Sequence, residues 1–203
     1  PPEAQVLRDP LEGLGFADHP RYHQEHRHHQ PRQERAPGVD SPTRARSVAL
    51  AVRLDHQELA ALERLFKDPQ CRLLTLTGMG GIGKTRLAIE FSSRQRDVFP
   101  DGVHYVPLAS INSAESIVPA IAEALEYSFS GPTDLKEQLI QHMTGTMKQS
   151  ALLVLDNLEH LITQSIETVE LISEIIQRLP HLKILTTSRE RLNLQGEWMY
   201  ELH

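Results

Sequence analysis

Within LLTLTGMGGIGKTRLA, Leu73 to Ala88, the residues Gly78, Gly83, Lys84 and Thr85 fall on the spacing GxxxxGK[ST]. A loop almost free of bulky side chains lets successive backbone N–H groups turn inward on phosphate oxygens, and the positive end of a following helix adds a favourable field. Lys84 would bridge the β- and γ-phosphates of a nucleoside triphosphate, and Thr85 would offer its hydroxyl to Mg2+. The candidate phosphate-binding set is therefore Gly78, Met79, Gly80, Gly81, Ile82, Gly83, Lys84, Thr85 and the adjoining Arg86.

Two more stretches carry chemistry. ALLVLDNLEH is an apolar run that ends in Asp156, where a carboxylate can join Thr85 in holding Mg2+. Asn157 is neutral and cannot act as a base; Glu159 can polarise water, or it can be a solvated residue opening the next helix. In TTSRERL, Arg189 directly follows another apolar run, and a planar guanidinium there could reach a γ-phosphate. The alternative for Arg189 is a solvated charge beside Glu190 and Arg191. Asp156, Glu159 and Arg189 are thus the catalytic candidates, and Thr85 and Asp156 the metal-binding ones.

These residues need a scaffold, and the patterning supplies one. DHQELAALERLF places Leu59, Leu62 and Leu65 or Phe66 at helical spacing behind an Asp55 cap, and Asp68-Pro69 ends the helix. A strand near 73–77, the glycine loop and a helix from Lys84 to about Gln95 follow. Val103 to Ala109 reads as the next strand, then helical patterns near 114–126 and 133–148 separated by Ser130-Gly131-Pro132. Ala151 to Asp156 and Leu182 to Ser188 are apolar runs of buried-strand length. Between them Ile166, Val169, Ile172, Ile176 and Leu179 form a helical stripe stopped by Pro180. Strands alternating with helices, with no hairpin signal, predict an α/β fold with a parallel sheet covered on both faces.

Composition narrows the setting. A chain of 203 residues with 39% apolar content can bury one substantial core, and a formal net charge of −6 argues against coating nucleic acid by bulk electrostatics. No direct nucleic-acid contact by this domain is expected. Residues 1–46 hold seven of the thirteen prolines and the run HPRYHQEHRHHQPRQER without apolar periodicity, the composition of a disordered leader ahead of a core over 47–203. Its histidines, His19, His23, His26, His28 and His29, lack a scaffold and suggest adventitious metal binding at most. The lone Cys71 reads as a small buried hydrophobe. No apolar run approaches the ~18 residues of a membrane span, and the start lacks a signal-peptide pattern, so a cytoplasmic protein with no membrane partner is expected.

Taken in order, LLTLTGMGGIGKTRLA, ALLVLDNLEH and LKILTTSRERLNLQGE resemble the ATPase core of the STAND class of signal-transduction NTPases, close to the NB-ARC-like domains of large bacterial LuxR-type transcriptional regulators. The resemblance covers about Asp55 to His203. It implies a three-layer P-loop NTPase fold with a mostly parallel five-stranded sheet of order 5-1-4-3-2, the last strand coming from Glu197 to Leu202. It also implies that Gly78, Asp156 and Arg189 surround one nucleotide, ATP or ADP with Mg2+. The family's Gly-Arg-Glu style motif before the first helix is replaced here by AVRLDHQEL, without the glycine that accompanies adenine binding. The chain stops soon after Arg189, which places the lid, winged-helix and effector domains of such regulators outside it.

The leading expectation is a regulatory switch whose arrangement depends on ATP or ADP, with slow Mg2+-dependent hydrolysis as a timer and nucleotide-dependent self-association as an accompanying expectation. A small-molecule kinase also uses GxxxxGKT but needs an acceptor pocket and an arginine-bearing lid, and no Arg-rich segment lies between Asp156 and Arg189. A degenerate module that binds nucleotide without turnover is the third reading. Nothing matches the NKxD pattern that would read guanine.

Overall fold

The computed structural model describes residues 56–203; the leader, its histidines and the Asp55 cap lie outside the described residues. Helix α1 occupies residues 56–67. The remaining elements are β1 (Leu73–Thr77), α2 (Lys84–Arg94), β2 (Val103–Pro107), a 3-10 turn (Ala114–Ser116), α3 (Ile117–Ala124), α4 (Leu135–Thr146), β3 (Ala151–Asp156), α5 (Glu159–Gln164), α6 (Ile166–Arg178), β4 (Leu182–Thr187) and β5 (Glu197–Glu201).

The five strands form one parallel sheet of order β2-β3-β4-β1-β5, the predicted 5-1-4-3-2 arrangement read from the other edge. Strand side chains alternate between faces, and β3 shows how one apolar run serves two cores. Ala151, Leu153 and Leu155 join α3, α4 and α6 on one side, while Leu152 and Val154 join α1 and α2 on the other. This continuous burial is why ALLVLD reads as a run rather than an alternation. Each fully buried leucine contributes about 1.5–3 kcal/mol relative to exposure. Leu59, Leu62 and Phe66 of α1 are buried as the spacing predicts, and so is Cys71, whose thiol burial pushes up to about 11.

Two expectations need correction. The stripe on α6 fails only at its first member: Ile166 is 73% exposed, whereas Ile172 and Leu179 are buried, Val169 and Ile176 pack against the core, and Thr168, Leu171 and Ile175 complete the inward face. Ile166 is the first residue of α6, directly after the cap Ser165, whose hydroxyl accepts from the Glu167 amide. The strand expected over Val103 to Ala109 ends at Pro107; the Leu108 amide still donates to the Asp156 carbonyl as a last rung beside β3, and the chain turns at residues 109–110.

Helix ends are fixed by specific groups. Asp134 caps α4 by accepting from the Glu137 amide at 3.0 Å. The Arg72 guanidinium donates to the carbonyls of Leu179 and Leu182 just beyond α6. Arg178 of α6 pairs with Glu137 of α4 at 2.6 Å, which holds Glu137 down to about 2. Among the described residues no helix is long and apolar enough to cross a membrane.

Candidate phosphate-binding site

Because every strand runs the same way, the residues that follow β1, β3 and β4 emerge along one edge of the sheet. The glycine loop connects the end of β1 to α2, and two of its glycines are required by backbone geometry. Gly83 caps α2 in the left-handed region at φ +107°. Gly78 sits at φ +141°, and a Cβ there would lie 2.8 Å from the Leu202 carbonyl oxygen, so the loop can pass the end of β5 only as glycine. The Leu202 amide donates to the Thr77 carbonyl at 2.9 Å, which locks that approach.

A cavity of about 580 Å3 opens on this edge, lined by Gly80, Gly81, Gly83, Lys84, Thr85 and Arg86 from the loop and α2, with Ile89 and Glu90 one turn on. Asn157, Glu159, Thr187 and Arg189 form its other wall. Met79 is 79% exposed and lies outside the lining, and Ile82 packs against the core cluster beneath the loop. The Lys84 ammonium donates to the carbonyls of Gly78 at 2.7 Å and Met79 at 3.0 Å, which folds its charge back across the loop.

Asp156 is buried at 6% exposure and accepts three side-chain hydroxyls. Its Oδ1 takes Thr85 at 2.9 Å and Thr187 at 2.5 Å, and its Oδ2 takes the Tyr105 phenol at 2.8 Å. Burial, then the adjacent Asp156 charge, raises the Tyr105 phenol well above its ordinary range, so it stays a donor. Thr187 also accepts from the Asn157 amide at 2.8 Å, which supports Asn157 in a left-handed conformation at φ +65°.

Glu159 opens α5, and its Oε1 lies 3.3 Å from Arg189 Nε. Its Oε2 is buried with no hydrogen-bond partner among the described residues. The Arg189 side chain, 69% exposed, lies over the loop: a Cβ on Gly80 would be 3.8 Å from its guanidinium carbon. The structure therefore brings Thr85, Glu159 and Arg189 around one cavity with Lys84, while Asp156 lies behind the wall, bonded to the lining residues Thr85 and Thr187. Sequence reasoning missed Tyr105 and Thr187. Thr187 was within reach, being the polar end of an apolar strand beside the one that carries Asp156; Tyr105 carried no signal, since an aromatic in a strand reads as packing.

The donor set fits a magnesium nucleotide. Hydroxyl and carboxylate oxygens of Thr85 and Asp156 are hard ligands suited to Mg2+. The glycine cradle, the lysine and the unpartnered Glu159 oxygen suit a phosphate chain with associated water.

A parallel sheet of this order, with a glycine-rich loop between its first strand and the following helix and an aspartate ending a neighbouring strand, defines a P-loop NTPase fold. Residues 67–193 match the AAA domain family, and the chain belongs to it. A protein of Mycobacterium tuberculosis (strain ATCC 25618 / H37Rv), named as a proposed HTH-type transcriptional regulator, is 36% identical over 128 residues, covering 63% of this chain and 14% of that protein. An uncharacterized protein of the same strain is 33% identical over 141 residues, covering 69% of this chain and 34% of its own length. The chain thus spans about a third or less of the length of these curated relatives. Among solved structures, Cdc6p from Pyrobaculum aerophilum superposes with a TM-score of 0.58 at 18% identity, over 72% of this chain and 44% of that one. The ADP form of the Aeropyrum pernix ORC2 protein gives 0.53 at 14% identity, over 73% and 47%. At such identities the likeness is one of fold.

Proposed function

We propose that this AAA-type P-loop domain is the ATPase core of a STAND-class, NB-ARC-like regulatory switch that binds ATP and ADP with Mg2+ and hydrolyses ATP slowly. The observation that carries the reading is the joining of the loop to β3: the Thr85 hydroxyl donates to Asp156 while Lys84 lies across the same loop. A donating hydroxyl keeps its lone pairs, so Thr85 can bind a cation through oxygen while remaining hydrogen-bonded to the carboxylate. A bound magnesium triphosphate supplies a γ-phosphoryl group open to in-line attack by water.

The chain's own groups then divide the work. The loop amides and Lys84 bind the phosphate chain, and Thr85 with Asp156 holds the metal. Glu159, with one oxygen unpartnered, orients water. Arg189, paired with Glu159 in this structure, reaches the γ-phosphate in the ATP state and so provides the differential contact between ATP and ADP that a switch requires. A regulatory setting is supported by the relative named as an HTH-type transcriptional regulator, whose greater length leaves room for effector domains.

Titration with ATP and ADP, with and without Mg2+, is the direct test, followed by phosphate release without an acceptor. Binding of both nucleotides with slow release fits the switch. Absence of nucleotide binding would sink it, transfer to a metabolite would make it a kinase, and binding without release would make it a passive module.

A further inference from the structure

Asp156 is held by more than the loop requires. Thr85 comes from α2 and Thr187 from β4, both on Oδ1, whereas Oδ2 is taken by Tyr105, from β2 on the other side of β3. With one hydroxyl on the far oxygen, rotation of the carboxylate about its Cβ–Cγ bond breaks hydrogen bonds on both sides. Neither Tyr105 nor Asp156 lines the cavity; Asp156 is bonded to Thr85 and Thr187, which do, and the Tyr105 hydroxyl is joined to the site through Asp156. Register places the Tyr105 backbone opposite Val154, and the side chain reaches forward along the sheet to the strand end.

We infer that Tyr105 is a positioning residue that fixes the Asp156 carboxylate for Mg2+, setting the metal affinity of the site without contributing to nucleotide affinity in the absence of metal. The inference rests on the nucleotide-binding reading above and concerns the regulation of that site by divalent cation. Outer partners of a metal-binding carboxylate typically change metal affinity by about 10- to 100-fold when removed.

The test is Tyr105→Phe, which keeps the ring and removes only the hydroxyl. A fluorescent ADP analogue is titrated into wild type and variant in EDTA, and then at fixed nucleotide against MgCl2; circular dichroism melts establish that both are folded. The expected result is unchanged affinity in EDTA and a rise of about tenfold in the Mg2+ concentration giving half-maximal effect. Equal Mg2+ dependence in the two proteins overturns the inference, as does a parallel loss of affinity in EDTA, which would mark Tyr105 as a purely structural support. Failure of the wild type to bind the analogue at all would instead strike the underlying reading. A Thr187→Val control, which removes a donor on Oδ1 from the opposite side, is expected to shift Mg2+ dependence in the same direction.

Discussion

At the scale of single residues, the site is a set of charges already engaged with one another. Lys84 is satisfied by loop carbonyls and Arg189 by Glu159, so an arriving phosphate chain exchanges partners with them. Replacing Lys84 with alanine removes a charge-assisted contact of about 2 kcal/mol, and nucleotide affinity measured by isothermal titration is expected to fall roughly 30-fold. Replacing Arg189 with alanine tests the γ-phosphate contact proposed for it. The ATP-to-ADP affinity ratio should collapse toward one while ADP affinity holds, and a uniform loss for both nucleotides would refute the γ-phosphate role. The loop glycines, Lys84 and Thr85 stood out in the sequence by their fixed spacing, and Asp156 by ending an apolar run. Thr187 was within reach only as another strand end, and Tyr105 not at all, because their roles depend on which strands become neighbours, and that is a property of topology.

At the scale of elements, the sheet order and the strand runs were legible because burial on both faces leaves an unmistakable apolar signature. The start of α6 was not: Ile166 fits the helical stripe by spacing but is exposed as the first residue after the Ser165 cap, while Ile172 and Leu179 are buried as expected. α4 and α6 share one apolar cluster and are bridged at the surface as well, where Arg178 reaches Glu137 across the gap and Glu174 on its own helix. The Glu137 carboxyl is held at about 2 in the folded protein, chiefly by its hydrogen bond from Arg178. A depressed carboxylate pKa gives stability that is complete above the unfolded value, about 4.3, and is lost as pH falls from there toward 2. Denaturant melts of Arg178→Ala across pH 2–6 are therefore expected to show a shallower acid dependence than wild type. Equal slopes would show that the pair is not coupled to folding. Its solvent exposure keeps the contribution small and salt-sensitive.

At the scale of the whole molecule, the two apolar clusters share β1, β3 and β4, so neither can be dismantled while the other keeps its strands. Unfolding of the described domain should be a single transition. Trp198, the chain's one tryptophan, packs against the cluster under α1 and α2, whereas far-ultraviolet circular dichroism reports on helices of both layers. The two signals are expected to give one urea midpoint, and separate midpoints would show that the layers come apart independently. The same sharing sets two parts of the site apart: Asp156 rides a strand covered above and below and flanked on both edges, while Arg189 is exposed in the loop between β4 and β5, which is anchored by buried Leu192 and Leu194. Amide exchange should accordingly be slowest along β3 and faster around Arg189. In the proposed switch, a change at the phosphate would pass through Arg189 and its segment toward β5 and the rim of the sheet, while Asp156 stays fixed in β3.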